Sequence, residues 1–168
     1  MGGFVAFSSE LGKGTTFVIT IPFQVNTSIH VKNETDVQKS SIQGLNILLV
    51  EDNDLNMEFA DFVFLQSGAN VTKAWNGREA VEIFRKSEPD EFDVILMDIM
   101  MPVMNGYEAT KMIRSLERED AKTIPIIAMT ANAFTEDRLK AKEAGMDEHI
   151  SKPVDGKLVV KVIHELQN

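Results

Sequence analysis

Val94-Ile95-Leu96-Met97 are four apolar residues in a row, and Asp98 follows them at once. A half-buried strand alternates and an amphipathic helix repeats every three to four residues. An unbroken apolar run of strand length therefore predicts a strand covered on both faces, as in a parallel sheet. Pro102 and Asn105-Gly106 then turn the chain. In open α/β sheets the binding crevice lies beyond the carboxyl ends of the strands. Asp98 is placed for chemistry rather than for the core.

The same pattern repeats from Leu45 to the end. Asn46 to Val50 predicts a buried strand ending at Glu51-Asp52-Asn53. Asp54 is placed to cap a helix whose apolar residues Leu55, Phe59, Phe62 and Val63 follow helical spacing, stopping near Gly68. Ala69 to Trp75 predicts a second strand and Asn76-Gly77 a turn. Ala80, Val81, Ile83 and Phe84 form the inward face of a second helix. The third strand ends at Asp98, and Tyr107 to Leu116 supplies the third helix. Thr123 to Thr130 predicts a fourth strand with Pro125 near its start, Ala133 to Ala144 a helix, and Met146 to Ser151 a fifth strand. Val154 to Leu166 closes the chain as a helix with Leu158, Val159, Val162 and Ile163 on one face. Five strands alternating with five helices predict an α/β fold with a doubly wound, five-stranded parallel sheet.

Such a sheet opens all its strand ends on one rim: Glu51 and Asp52, then Asp98, Thr130 and Lys152. Three crowded carboxylates require a cation. Oxygen donors in a chain with no cysteine favour Mg²⁺ (or Mn²⁺). A metal beside a carboxylate and a lysine suits phosphoryl transfer. Asp98 is then the nucleophile, Lys152 neutralises a phosphoryl oxygen, and the Thr130 hydroxyl hydrogen-bonds another. Charge agrees, because the net −9 lies entirely in residues 45–168. An acidic domain argues against nucleic acid, whose affinity comes largely from basic groups. No apolar run reaches the roughly 20 residues that span a bilayer, and no signal peptide opens the chain.

Simpler readings account for other features. Asp52-x-Asp54-x-Asn56 imitates a calcium loop but has Met57 where glycine is required. Met97 is expected in the core, with Met100, Met101 and Met104 on a pliable loop surface. Glu88 to Asp93 reads as a solvated loop, Trp75 as packing, and His30 and His164 as surface residues.

Residues 1–44 differ in kind. Residues 2–7 read as a strand and 8–14 as a turn. In Thr15 to Phe23, Phe17, Ile19, Ile21 and Phe23 alternate with more polar neighbours, giving a second strand and a β-hairpin. Gly12-Lys13-Gly14-Thr15 lacks the glycine spacing of a P-loop. Residues 24–44 are polar, without hydrophobic periodicity, and read as a flexible linker.

Two family resemblances follow from these residues. Leu48-Leu49-Val50-Glu51-Asp52-Asn53, Leu96-Met97-Asp98-Ile99-Met100-Met101-Pro102-Val103-Met104-Asn105-Gly106, Ala128-Met129-Thr130-Ala131-Asn132-Ala133 and Ser151-Lys152-Pro153 resemble a response-regulator receiver domain over residues 45–168. The resemblance implies a flavodoxin-like receiver fold, with Asp98 as phosphoacceptor and Asp52 as direct metal ligand. It also implies Glu51 as a ligand through water, a Met100 carbonyl ligand and a cis Lys152–Pro153 bond. Where the family usually carries Tyr or Phe as a two-state side chain, this chain has His149, whose imidazole can titrate near neutral pH.

Gly2-Gly3, Ser9-Glu10, Gly12-Lys13-Gly14-Thr15 and Ile21-Pro22-Phe23 resemble the end of a histidine kinase ATP-binding domain. That makes residues 1–23 a hairpin remnant without the ATP boxes, so catalysis would be confined to the receiver's own phosphorylation and dephosphorylation. Together the resemblances imply the carboxyl-terminal part of a cytoplasmic hybrid sensor histidine kinase, whose parent can be membrane-anchored. Its partners would be a phosphohistidine domain in cis or trans and a histidine phosphotransfer protein, with no nucleic acid and no direct membrane contact. The alternative is a stand-alone response regulator acting by phosphorylation-dependent protein binding.

Overall fold

The computed structural model describes residues 2–22, 42–130 and 135–167. They belong to two compact units divided between Val37 and Gln38. In the first, β1 (Phe4–Glu10) and β2 (Gly14–Thr20) pair antiparallel, with Val5 opposite Ile19 and Phe7 opposite Phe17. The two rings lie 6.0 Å apart. The turn is tighter than the sequence predicts, because Ser8, Ser9 and Glu10 are paired in β1. Gly12 and Gly14 take φ of +81° and +100°, which lets Leu11-Gly12-Lys13 close the hairpin alone. Phe23 and the bulk of the expected linker lie outside the described residues.

The second unit is built on β3 (Asn46–Val50), β4 (Asn70–Ala74), β5 (Val94–Asp98), β6 (Ile126–Thr130) and β7 (Glu148–Ser151). They form a parallel sheet in the order β4-β3-β5-β6-β7. The helices are α1 (Asp54–Gln66), α2 (Gly77–Lys86), α3 (Gly106–Arg114), a single turn α4 (Asp120–Thr123), α5 (Thr135–Ala144) and α6 (Gly156–Gln167). The predicted sheet is present with all five strands. None of the helices among the described residues is long and apolar enough to cross a membrane.

The central strand β5 is buried along its whole length, as its apolar run requires. Alternate residues feed two cores. Leu48, Val50, Ile95, Met97 and Ile126 pack with Val81 and Phe84 of α2 and Ala109 and Ile113 of α3. Ile47, Leu49, Leu96, Ile127 and Met129 pack with Met57, Ala60 and Phe64 of α1 and Val159 and Ile163 of α6. Each fully buried aliphatic side chain contributes roughly 1.5–3 kcal/mol. A sheet with a core on each face is pinned in register, since a one-residue slip would exchange the two.

Several boundaries and faces differ from expectation. The cap of α1 is Asn53, in extended conformation, whose side chain accepts from Asn56 N–H at 3.1 Å; Asp54 is the first helical residue. The buried face of α1 is Met57, Ala60 and Phe64, while Leu55, Phe59 and Phe62 are 74%, 48% and 62% exposed. Helical spacing fits both faces because α1 is apolar nearly all round, so periodicity alone could not choose between them. Asn76 likewise caps α2 through Glu79 N–H rather than forming a free turn. Thr123 belongs to α4, and β6 starts after Pro125, which cannot donate to the ladder. Met101 is buried rather than on the loop surface, and Leu158 is partly exposed. Packing reaches back before Leu45: Ile42 is fully buried and Gly44 N–H donates to Gly68 O at 2.7 Å.

The acidic stretch 88–93 is tied down rather than simply solvated. Arg118 donates from Nε and Nη2 to the two oxygens of Asp120 at 2.6 and 2.5 Å. It also donates to the carbonyls of Phe84, Ser87 and Glu88, with its guanidinium 4.6 Å from the centre of the Phe84 ring. Asp90 N–H donates to Asp120 as well. The hydrogen bond from Arg118 outweighs burial and holds the Asp120 carboxyl down at about 2. A depressed carboxyl stabilises the fold above its unfolded value, and that stability is lost as pH falls through the folded one. Arg118→Ala should therefore flatten the acid limb of stability between about pH 4 and 2, read by urea unfolding across that range. An unchanged limb would show that Arg118 does not hold Asp120.

Candidate functional site

The register of the sheet assembles the rim. Val50 lies beside Met97, Asp98 beside Met129, and Thr130 beside Ser151. The residues just after β3 and β7, and the last residues of β5 and β6, are thus neighbours. Glu51 continues from β3 with its N–H on Ala74 O at 3.1 Å. Lys152 follows β7, its N–H donating to Thr130 O at 2.8 Å, and its bond to Pro153 is cis. Glu51 and Asp98 are only 2% and 6% exposed. Thr130 is buried and Asp52 exposed.

Lys152 joins these elements. Its Nζ lies 2.5 Å from Glu51 Oε2 and 2.8 Å from Asp98 Oδ2. Burial pushes the Asp98 carboxyl up; the hydrogen bond and charge of Lys152 oppose this, the charge of Glu51 adds to it, and the net shift is upward. Burial lowers Lys152, but its hydrogen bonds to Asp98 and Glu51 together raise it, so the ammonium is kept charged.

One oxygen from each of Glu51, Asp52 and Asp98 lies within 4.8 Å of the others. Three carboxylates facing one ammonium leave a charge deficit, and an all-oxygen donor set of this kind fits a hard divalent cation. Met100 is two residues beyond Asp98, its N–H 3.4 Å from Asp98 Oδ1 and its side chain exposed. His149 lies on β7, paired with Ala128 of β6. Its Nδ1 is 2.8 Å from Glu148 Oε1, at a cleft of about 370 Å³ shared with Arg138, Lys142, Met146 and Asp147.

Two residues at the site were not singled out from sequence. Asn56 Nδ2 donates to Glu51 Oε1 at 3.0 Å, and Asn53 N–H reaches the same oxygen at 3.4 Å. The signal was Asn56 itself, in the first turn of a helix that follows directly on the carboxylates, but it was read only against a calcium loop. Asn56 also lines an apolar groove of about 390 Å³, together with Leu55, Phe59, Ala60, Pro153 and Val154 and the site residues Glu51 and Lys152.

The loop after Asp98 is shaped by close approach. A Cβ on Gly106 would lie 2.2 Å from Asp98 O, so only glycine lets α3 start against the end of β5. Val103 takes φ +70°, an unfavourable region for a β-branched residue.

Comparison with known proteins places this geometry among relatives. The family profile described as the response regulator receiver domain matches residues 47–164. The chain is 37% identical to the aerobic respiration control sensor protein ArcB of Escherichia coli K12, covering 92% of this chain and 19% of that protein. The receiver domain of the sensor histidine kinase PA1611 from Pseudomonas aeruginosa, solved with magnesium coordinated in its active-site cleft, superposes with TM-score 0.66 at 35% identity. That match covers 74% of this chain and 99% of the other. The receiver domain of Ssk1 from Saccharomyces cerevisiae, solved with the histidine phosphotransfer signalling protein Ypd1, gives TM-score 0.65 at 31% identity over 74% of this chain and 89% of the matched chain. The chain spans less than a fifth of the length of ArcB and of other curated histidine kinases it matches.

The crowded rim sets an expected outcome. Lys152→Ala leaves Glu51 and Asp98 facing each other without a counter-charge, which should cost roughly 2–3 kcal/mol of stability without metal, somewhat below a fully buried pair. A hard divalent cation should stabilise this variant more than the wild type, because it replaces the lost ammonium. Urea unfolding with and without the cation checks this; an equally stable metal-free variant would contradict it.

Proposed function

Since the chain belongs to the response regulator receiver domain family, we propose that Asp98 accepts a phosphoryl group from a phosphohistidine, as the receiver of a hybrid sensor histidine kinase in a phosphorelay. The observation that carries this reading is a nearly buried Asp98 carboxylate at the end of β5, 2.8 Å from Lys152 and grouped with two further carboxylates.

In this reading one Asp98 oxygen attacks phosphorus and forms the acyl phosphate, while the phosphorus–nitrogen bond breaks and its electron pair stays on the imidazole of the donor. Lys152 exchanges its contact with the free carboxylate for a phosphoryl oxygen. The Thr130 hydroxyl, at the neighbouring strand end, donates to another. Mg²⁺ (or Mn²⁺) would be held by Asp52, Asp98 and the Met100 carbonyl, with Glu51 acting through water. When bound it supplies charge neutralisation for the carboxylates and the incoming phosphoryl group. The PA1611 receiver, with its coordinated magnesium, supports that assignment.

The partner reading is supported by α1, which leaves Leu55, Phe59 and Phe62 exposed, with Leu55 and Phe59 in the groove that holds Glu51 and Lys152. Exposed apolar stripes of this kind mark protein contacts, and the Ssk1 receiver was solved with a histidine phosphotransfer protein. The hairpin fits the end of a kinase ATP-binding domain. Residues 23–168 are 146 of the 168 residues, so the ArcB match, at 92% of the chain, reaches into it. A cytoplasmic placement follows from the same phosphorelay reading.

Two outcomes test this function. Incubation with a small acyl phosphate and Mg²⁺ should add one phosphate to the intact mass, and Asp98→Ala should abolish the gain. No gain on the wild type, or an equal gain on the variant, would overturn the reading. The second concerns His149, proposed as the two-state side chain of the switch, its Nδ1 2.8 Å from Glu148 Oε1. His149→Ala should leave the phosphate gain on Asp98 intact and weaken the phosphorylation-linked conformational change, whereas His149→Tyr should preserve it. An undiminished change in His149→Ala would eliminate this role.

A further inference from the structure

We propose that Asn56 is a positioning residue for the metal site, acting through Glu51. The proposal rests on the reading of Glu51, Asp52 and Asp98 as that site and names a residue that neither the motif nor the charge pattern identifies. Glu51 is almost wholly buried, and both of its oxygens are engaged. Oε2 meets Lys152 Nζ at 2.5 Å, and Oε1 accepts from Asn56 Nδ2 at 3.0 Å and, at a longer 3.4 Å, from Asn53 N–H.

The helix makes no use of this amide. What Asn56 gives the N-terminal turn of α1 is its backbone N–H, which donates to the Asn53 side chain at 3.1 Å. The side-chain amide donates to Glu51. The chemistry of the donor matters as much as its place. An amide anchors the carboxylate without adding a second cation beside Lys152, so the net negative charge of the three carboxylates stays available to a metal. A lysine or arginine in the same position would reduce it.

The geometry also fixes a division of labour. With Oε1 held by Asn56, Oε2 is the oxygen that meets Lys152, and the ammonium is shared with Asp98 at 2.8 Å. Without the amide, Glu51 is free to turn both oxygens onto Lys152. Lys152 would then be drawn away from Asp98, and Glu51 would be withdrawn from the metal. Groups that orient direct metal ligands are typically worth about 10- to 100-fold in metal affinity, and because Glu51 reaches the metal through water, Asn56 belongs at the lower end of that range, about 10-fold or less.

The test is a calorimetric titration of the full chain with Mg²⁺ alone. Asn56→Leu keeps the branched shape and removes the donor; Asn56→Ala removes it with a better helix former. Both should bind Mg²⁺ more weakly than the wild type, by up to about 10-fold. In a Glu51→Ala background the same substitutions should have little further effect, because their target is gone. Wild-type affinity in the Asn56 variants, or an undiminished loss in the Glu51→Ala background, overturns the proposal. Asp52→Ala is the control on the underlying reading. If it binds Mg²⁺ like the wild type, the metal site itself fails and Asn56 with it. If Asp52→Ala is weakened and the Asn56 variants are not, only the role of Asn56 fails.

Discussion

Lys152 bridging Glu51 and Asp98 is the contact on which the site depends. Two carboxylates this deeply buried would be costly to hold ionised without a counter-charge. Each member of the triplet comes from the end of a different strand, so the bridge forms only if β3, β5 and β7 finish level. Two hydrophobic cores, one on each face, enforce that register. The apolar interior thereby supplies the positional precision, and the rim holds charge that a softer scaffold would let drift apart.

Surrounding features bring the chain up close to this bridge. Gly106 lets α3 begin against the carbonyl of Asp98, and Val103 accepts a positive φ in the tight loop between them. A non-glycine residue in that region costs of order 1–2 kcal/mol, offset by the packing of Met101 and by Gly106 N–H on Ile99 O. Asn53 and Asn56 serve both the start of α1 and Glu51. One short segment thus joins helix initiation to the electrostatics of the site. At the other end of the domain, Arg118 gathers α2, α4 and the acidic loop without taking part in the chemistry.

Much of this was legible in the residues. The unbroken run Val94–Met97 called for a strand buried on both faces, and β5 is one. Polar residues directly after apolar runs marked the rim, since strand carboxyl ends in such sheets face one crevice. The faces of α1 were not legible. Leu55, Phe59 and Phe62 have the spacing of a core stripe, yet Met57, Ala60 and Phe64 are the residues the sheet buries. A helix apolar on both sides carries no periodic signal for which side faces inward.

By itself, then, the sequence determined the alternation of strands and helices, the chemical types gathered at the rim and the family to which they belong. These follow from local patterning and from residues placed at strand ends. Only the tertiary structure decided which oxygen of Glu51 meets Lys152, that Asn56 holds the other, and that α1 leaves an apolar stripe uncovered beside the site. Those outcomes depend on distances between residues far apart in the chain and on the competition between two apolar faces for one sheet, which no local pattern records.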